Sequence, residues 1–140
     1  MNRYKLVLSP HSYGPSLYNV PELIEHFPER FTAPGYPFSM REYWEENFGF
    51  LTDAGLPLIV GETGGNMDCC SIPGVIENMN ADAAYQEEFV RYLSDKGVGL
   101  FYFCLNPGSH DTGGILELDW KTPNEKKLNL LAGVKATRVV

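Results

Sequence analysis

Leu58-Ile59-Val60-Gly61-Glu62-Thr63-Gly64-Gly65 is an apolar run that breaks off into a glycine-rich turn carrying a single carboxylate. The apolar run, with its two β-branched members, has the makings of a short buried strand. The glycines end that strand and leave Glu62 at its C-terminal tip, which is where parallel α/β sheets keep their chemistry. On this stretch alone two readings of Glu62 stand. It is a reacting carboxylate, or it is a side chain that caps the turn or pairs with a nearby cation.

The chain repeats this plan on either side. Upstream, Lys5-Leu6-Val7-Leu8 reads as a first strand ending at Ser9-Pro10-His11-Ser12-Tyr13-Gly14. Residues 14–38, rich in Pro, Gly and aromatics, read as a long loop, and loops of that length in compact domains are usually functional. Within it, Pro21-Glu22-Leu23-Ile24-Glu25-His26-Phe27 has room for one or two helical turns. Ser39, with Glu42 three residues on, predicts a capping box. It opens a helix with Met40, Trp44, Phe48 and Leu51 at helical spacing and Gly55 as its stop. Pro57 opens the Glu62 strand, and residues 63–80 read as a second long loop. A second helix is expected from about Asn80 to Lys96, with Tyr85, Phe89, Tyr92 and Leu93 as inner stripe and Gly97 as stop. Gly99-Leu100-Phe101-Tyr102-Phe103-Cys104-Leu105 is the third strand. The polar loop Asn106 to Asp119 turns at His110-Asp111-Thr112-Gly113-Gly114. Thr122-Pro123-Asn124-Glu125 reads as a second capping box with Pro at the first helical position, starting a last helix with Leu128 and Leu131 inside. The pattern predicts an α/β fold of three parallel βα units, with long loops at the C-terminal ends of the strands.

The length of 140 residues suits one domain with a modest core. A composition of 44% apolar and 21% charged residues is that of an ordinary soluble globular protein. With a formal net charge of −7 and no Lys/Arg run, nothing is present to neutralise phosphates, so no nucleic-acid partner is expected. No apolar run approaches the roughly 18–20 residues that span a bilayer, and no membrane partner is expected. Met1-Asn2-Arg3-Tyr4 leads directly into a strand, so a secretion signal is expected to be removed or never present. Cys69, Cys70 and Cys104 make no metal-ligand pattern with the histidines. A bridge from Cys69 or Cys70 to Cys104 and free buried thiols both stay open. Aromatics, at 13%, suit a core and equally the stacking of sugar rings.

Taken in order, three groups of residues carry a family likeness. They are His11-Ser12-Tyr13 after a strand, Val60-Gly61-Glu62-Thr63-Gly64-Gly65, and Phe101-Tyr102-Phe103-Cys104-Leu105-Asn106-Pro107 leading into Asp111-Thr112-Gly113-Gly114-Ile115-Leu116-Glu117-Leu118-Asp119-Trp120. The set closely resembles the C-terminal part of glycoside hydrolase family 5, the endo-β-1,4-glucanase (cellulase) family. The resemblance implies a partial (β/α)8 (TIM-type) barrel whose sixth, seventh and eighth strands are present, so that residues 1–140 form one truncated, half-barrel-like domain. It implies cleavage of β-1,4-glucan chains with retention of configuration, a β-glucan polysaccharide or oligosaccharide as partner, and neither cofactor nor metal. Secretion is implied as well. Glu62 then matches the catalytic nucleophile, Tyr13 the residue that hydrogen-bonds it, and His11 a residue lining the cleft. Phe103 stands where the family usually carries a Trp that stacks on a sugar ring, with loss of ring area and of the indole N–H. The family's acid/base Glu, in an Asn-Glu motif on the fourth strand, has no counterpart here, nor have the Arg and His of its earlier strands.

Retaining hydrolysis needs two carboxyl groups about 5–5.5 Å apart. Glu22, Glu25, Asp68, Asp111 and Glu117 lie on the expected side of the sheet, each readable also as a solvated surface group. The other source is a second copy. Open strand edges and an apolar inner face favour self-association, and a homo-oligomer, a dimer first, would bring a second Glu62 to the same cleft. Trp44 reads as core, and His26 as structural. Trp120, just before a helix cap, reads as packing on that helix while its loop borders the cleft. His110 is a solvent-exposed loop residue or a substrate contact, and Asn106 is a turn device or an amide for substrate. Tyr18, Tyr36 and Phe38 are loop packing or sugar platforms. The sequence thus supports a β-glucan hydrolase acting as an oligomer or part of a split enzyme. The alternative is a catalytically silent carbohydrate-binding remnant, or a fragment that needs a missing N-terminal partner.

Overall fold

In the computed structural model, which describes residues 6–18, 28–69 and 80–134, the apolar run forms β1 (Ile59–Thr63). It pairs in parallel with β2 (Gly99–Tyr102), with Ile59 opposite Gly99, Val60 opposite Leu100 and Thr63 opposite Tyr102. The expected third strand is realised only in part. Isolated parallel bridges join Leu8 to Leu58 and His11 to Glu62 along the other edge of β1. The backbone bonds there are Leu8 N–H to Pro57 O, Ile59 N–H to Leu8 O, Gly61 N–H to Pro10 O and Ser12 N–H to Glu62 O. The sheet therefore has two strands and a bridged segment where three βα units were predicted.

The interruption has a countable cause. Between Leu58 and Glu62, β1 advances one position more than its partner does between Leu8 and His11. Between Val60 and Thr63 it advances one position more than β2 does between Leu100 and Tyr102. β1 therefore carries a β-bulge at Gly61-Glu62 relative to both neighbours, and a bulge breaks the ladder and re-aims a side chain. Strict alternation would put Val60 and Thr63 on opposite faces. Instead both are buried, at 0% and 3% exposure, Val60 in the core under the helices and Thr63 beside Gln86 and Phe89. Glu62, its side chain 41% exposed, is left on the open face.

Helices cover the other face. α1 (Met40–Trp44) continues through a π-helical turn, Glu45–Gly49, into α2 (Phe50–Asp53). Met40, Trp44 and Phe48 form the buried stripe expected of it, and Gly55, at φ +72°, ends it. The capping box at Ser39 does not form. Ser39 is already helical (φ −60°, ψ −20°), because its N–H and that of Met40 are taken by Gly35 O and Pro37 O in the preceding turn, and Ser39 Oγ is left without a partner. α3 (Ala81–Lys96) ends as predicted at Gly97. There Gly97 N–H bonds to Ser94 O and Val98 N–H to Leu93 O, the paired bonds of a Schellman motif. α4 (Glu125–Leu131) starts later than predicted, because Pro123 is held in an antiparallel bridge to Leu116. Its cap is Asn124, whose Oδ1 accepts from Lys127 N–H at 3.1 Å. The buried residue of α4 is Lys127. Leu128, expected inside, is 38% exposed, and Leu131 is half-buried.

Aromatic rings knit the core. Trp44 is fully buried, with the ring centroids of Tyr85, Phe89 and Tyr92 at 5.4, 4.6 and 5.3 Å. Phe31 meets Tyr85 edge-on at 5.9 Å and Tyr36 at 6.1 Å, and Tyr18 packs on Phe31 at 5.7 Å. Trp44 is thus core, and Tyr18 and Tyr36 are loop packing, whereas Phe38 is 66% exposed. Each such pair adds about 0.5–1.5 kcal/mol beyond the area it buries. The helical turns expected over Pro21–Phe27, His26 included, lie outside the described residues.

Burial raises the phenols of Tyr36, Tyr85 and Tyr102 above their ordinary value of 10.0. Unfolded tyrosines lose their protons near that value and the folded ones later. Above it the folded state binds more protons, so stability falls as pH rises, by up to about 1.4 kcal/mol per pH unit for each phenol. Melting temperatures are expected to stay level to about pH 9.5 and to drop steeply above about pH 10.5. A level profile through that window would contradict the buried state of these rings.

Candidate active site

The bulge leaves Glu62 at the C-terminal end of β1, facing the segment bridged beside it. Tyr13 donates its hydroxyl to Glu62 Oε2 at 2.7 Å, and His11 Nδ1 stands 3.4 Å from the same oxygen. Among the described residues nothing hydrogen-bonds Glu62 Oε1. Burial, then the hydrogen bond to Glu62 and the charges of Glu62 and Asp111, push the Tyr13 phenol far above its ordinary value, so it is a proton donor to the carboxylate at all ordinary pH.

Glycines make this convergence possible. A Cβ on Gly61 would lie 2.1 Å from Ser9 Oγ and 3.0 Å from His11 Nε2. A Cβ on Gly64 would lie 1.9 Å from the carbonyl oxygen of Phe103, where Phe103 N–H donates to Thr63 O at 2.7 Å and carries the β1–β2 pairing one residue past β2. The Phe103 ring meets Tyr13 edge-on at 6.5 Å and is 39% exposed. The Phe103–Cys104 peptide is cis. His11, Tyr13, Glu62 and Phe103 are thus brought together.

Asn106, His110 and Trp120 are not joined to this cluster by any hydrogen bond, ion pair or ring contact. Asn106 Oδ1 accepts Gly108 N–H at 2.8 Å and closes its own turn, and His110 is exposed. Trp120 is 58% exposed, with a left-handed backbone at φ 59°. Its turn is fixed by Asp119, whose carboxylate accepts Lys121 N–H, Thr122 N–H and Thr122 Oγ1. The Leu116–Pro123 bridge delays the helix and leaves that turn outside it.

The carboxylates considered as the second group are tied elsewhere. Asp68 pairs with Lys126. Glu117 Oε1 accepts Asn124 Nδ2 at 2.9 Å. Asp111 Oδ1 accepts Ser109 Oγ at 2.7 Å and Thr112 N–H at 2.9 Å, though its charge reaches Tyr13. Glu22 and Glu25 lie outside the described residues. Cys104 is a free thiol, so no bridge reaches it, while Cys69 is disulfide-bonded. Among the described residues no cluster of His, Cys, Asp and Glu is placed to hold a metal ion. Sequence reading missed the clearance made by Gly61. The one available signal for it was a glycine beside a carboxylate inside a strand.

Ionisable and aromatic side chains gathered at the C-terminal ends of parallel strands, with helices behind, are the plan of (β/α)8-barrel enzymes. Comparison narrows this. Residues 2–109 match Cellulase (glycosyl hydrolase family 5). The chain is 34% identical over 128 residues to the major extracellular endoglucanase of Xanthomonas campestris pv. campestris, covering 91% of the chain and 23% of that protein. It is 30% identical over 131 residues to an endoglucanase of Paenibacillus polymyxa, covering 93% of the chain and 29% of that protein. An endocellulase from Pyrococcus horikoshii, solved in complex with cellotetraose, matches with a TM-score of 0.75 at 34% identity, covering 94% of the chain and 32% of that structure. The chain belongs to glycosyl hydrolase family 5. It spans less than a third of the length of each of these proteins.

Gly61→Ala is expected to displace Ser9 and His11 and to cost about 1–3 kcal/mol, as overpacking does. Urea denaturation measures it, and an unchanged midpoint would show that the bridged segment yields without cost.

Proposed function

We propose that this chain carries the nucleophile half of an endo-β-1,4-glucan hydrolase that works with retention of configuration, and that Glu62 is that nucleophile. One observation carries the reading. Glu62 Oε2 is held by Tyr13 and flanked by His11, while Oε1 is left unengaged on the open face of the sheet.

In this mechanism Oε1 attacks the anomeric carbon as the glycosidic bond breaks, and a second carboxyl group protonates the departing oxygen. The same group then takes a proton from water, which attacks the glycosyl ester and releases Glu62, so two inversions give net retention. Tyr13, kept protonated, holds the carboxylate in place, and its hydrogen bond is stronger to the carboxylate than to the ester, which favours release in the second step. His11 lines the cleft beside the reacting oxygens. Phe103 offers a ring face to a sugar; Asn106, His110 and Trp120 stand as outer substrate contacts on the same loop.

The second carboxyl group is assigned to further βα units covering the open face, where Phe101 is 63% exposed and Leu6 and Val7, along the free edge, are 52% and 57% exposed. A second copy of the chain supplying them, the homo-oligomeric arrangement, predicts a solution mass above one chain of 15.7 kDa. Light scattering that returns the single-chain mass rules that arrangement out.

Glu62→Gln is expected to lower kcat on carboxymethyl-cellulose by about 10³-fold or more with little change in KM. If wild type and variant are equally inactive yet both bind cello-oligosaccharides, the protein is a silent binding module instead. Phe103→Trp is expected to tighten cello-oligosaccharide binding by about 2- to 10-fold through added stacking area, read by calorimetry.

A further inference from the structure

The first two turns of α3 direct three buried polar side chains, Asp82, Tyr85 and Gln86, at the segments that carry the cleft. Asp82 Oδ2 accepts Ser16 N–H at 2.7 Å, and its Oδ1 accepts Gln86 Nε2. Gln86 Oε1 in turn accepts the Tyr102 hydroxyl at 2.6 Å.

Each contact lies close in the chain to a cleft side chain. Tyr13 is bracketed by them. Ser12 before it meets the Tyr85 hydroxyl at 2.7 Å, and a Cβ on Gly14 after it would stand 2.8 Å from both Asp82 Oδ2 and Tyr85 Cδ1. On the Glu62 side, a Cβ on Gly65 would stand 2.0 Å from Asp82 Oδ1 and 2.7 Å from Gln86 Nε2. The next residue, Asn66, gives its N–H to Ser16 Oγ at 3.1 Å, which ties the two segments to each other. Tyr102, held by Gln86, directly precedes Phe103.

A carboxylate in the first turn of a helix is stabilised there while it stays in water. Asp82 is 0% exposed, and its donors Ser16 and Gln86 are neutral, so burying it is costly. Burial accordingly raises its pKa, against the lowering by Ser16, Gln86 and the charge of Lys127. An apolar side chain would fill the space at lower cost but would take neither the Ser16 N–H nor the Gln86 amide.

We propose that Asp82 and Gln86 are positioning residues for the cleft: by tying the segments that follow Tyr13 and Glu62 to each other and to Tyr102, they set the Tyr13 hydroxyl on the Glu62 carboxylate. The clamp stands on these contacts, whereas its consequence for turnover rests on the reading of Glu62 as nucleophile.

Carbon-13 NMR of the tyrosine rings, with Tyr13 assigned through Tyr13→Phe, reads the pair without need of activity. In the otherwise wild-type chain, Glu62→Gln is expected to shift the Tyr13 Cζ resonance. In Asp82→Ala and in Gln86→Leu that response is expected to shrink by about half or more, as coupling between the two side chains is lost. In Asp82→Asn it is expected to persist, because the amide oxygen still accepts Ser16 N–H while the amide nitrogen meets a flipped Gln86. Turnover of cello-oligosaccharide is expected to fall about 5- to 10-fold in Asp82→Ala, mainly in kcat, and to stay within about twofold of wild type in Asp82→Asn. A full Tyr13 response in folded Asp82→Ala, or its loss in Asp82→Asn as well, overturns the proposal. Should Asp82→Ala not fold, Gln86→Leu decides, and a full response there overturns it. A Tyr13 resonance blind to Glu62→Gln in the wild-type background overturns it together with the pair it positions. If Glu62→Gln keeps full activity, the nucleophile reading alone fails, and the Tyr13 resonance still judges the clamp.

Discussion

The surplus residue at Gly61-Glu62 lets one short strand satisfy two demands that strict alternation sets against each other. Val60 and Thr63 must both face the helical layer, because that layer is the only apolar interior the described residues build. Glu62 must face the other way. A regular strand of this length cannot do both, and the bulge resolves the conflict at the cost of the ladder that would have made residues 8–11 a full strand. Glycine is needed at that position because Ser9 and His11 occupy the volume a side chain would take, and Gly64 yields to the Phe103 carbonyl in the same way.

The elements whose physics is local were legible in the sequence. The inner stripes of the Met40–Asp53 helical run and of α3 follow from helical spacing, and Gly55 and Gly97 mark their ends because only a left-handed residue closes those helices cheaply. What failed depended on partners distant in sequence. The Ser39 capping box loses to a turn that has already taken its backbone donors, and the cap before α4 shifts to Asn124 because Pro123 is claimed by Leu116. At the cleft, the grouping of His11, Tyr13, Glu62 and Phe103 was legible from ordered motifs. The isolation of Asn106 and Trp120 was not, since an Asx turn and a carboxylate-capped turn with φ above zero look in sequence like any other polar loop.

Two layers divide the labour of the chain. Behind the sheet, aromatic rings packed around Trp44 and Tyr85 hold the helices, and Ser12 reaches back from the cleft segment to Tyr85 with a 2.7 Å hydrogen bond between hydroxyls. In front, half-exposed carboxylate, imidazole and phenyl groups meet solvent over a backbone held in place by those contacts. Exposed side chains carried on a rigid scaffold in this way can change without disturbing the core.

The contrast between the two tryptophans turns this division into an optical property. Trp44 is sealed among rings, and Trp120 stands in solvent on a turn pinned by Asp119. Their emission should therefore separate into a blue component shielded from aqueous quenchers and a red one open to them. A change at the exposed turn would dim or shift the red component alone, and loss of the core would move the blue. The chain carries, without any label, one reporter for its interior and another for an exposed turn.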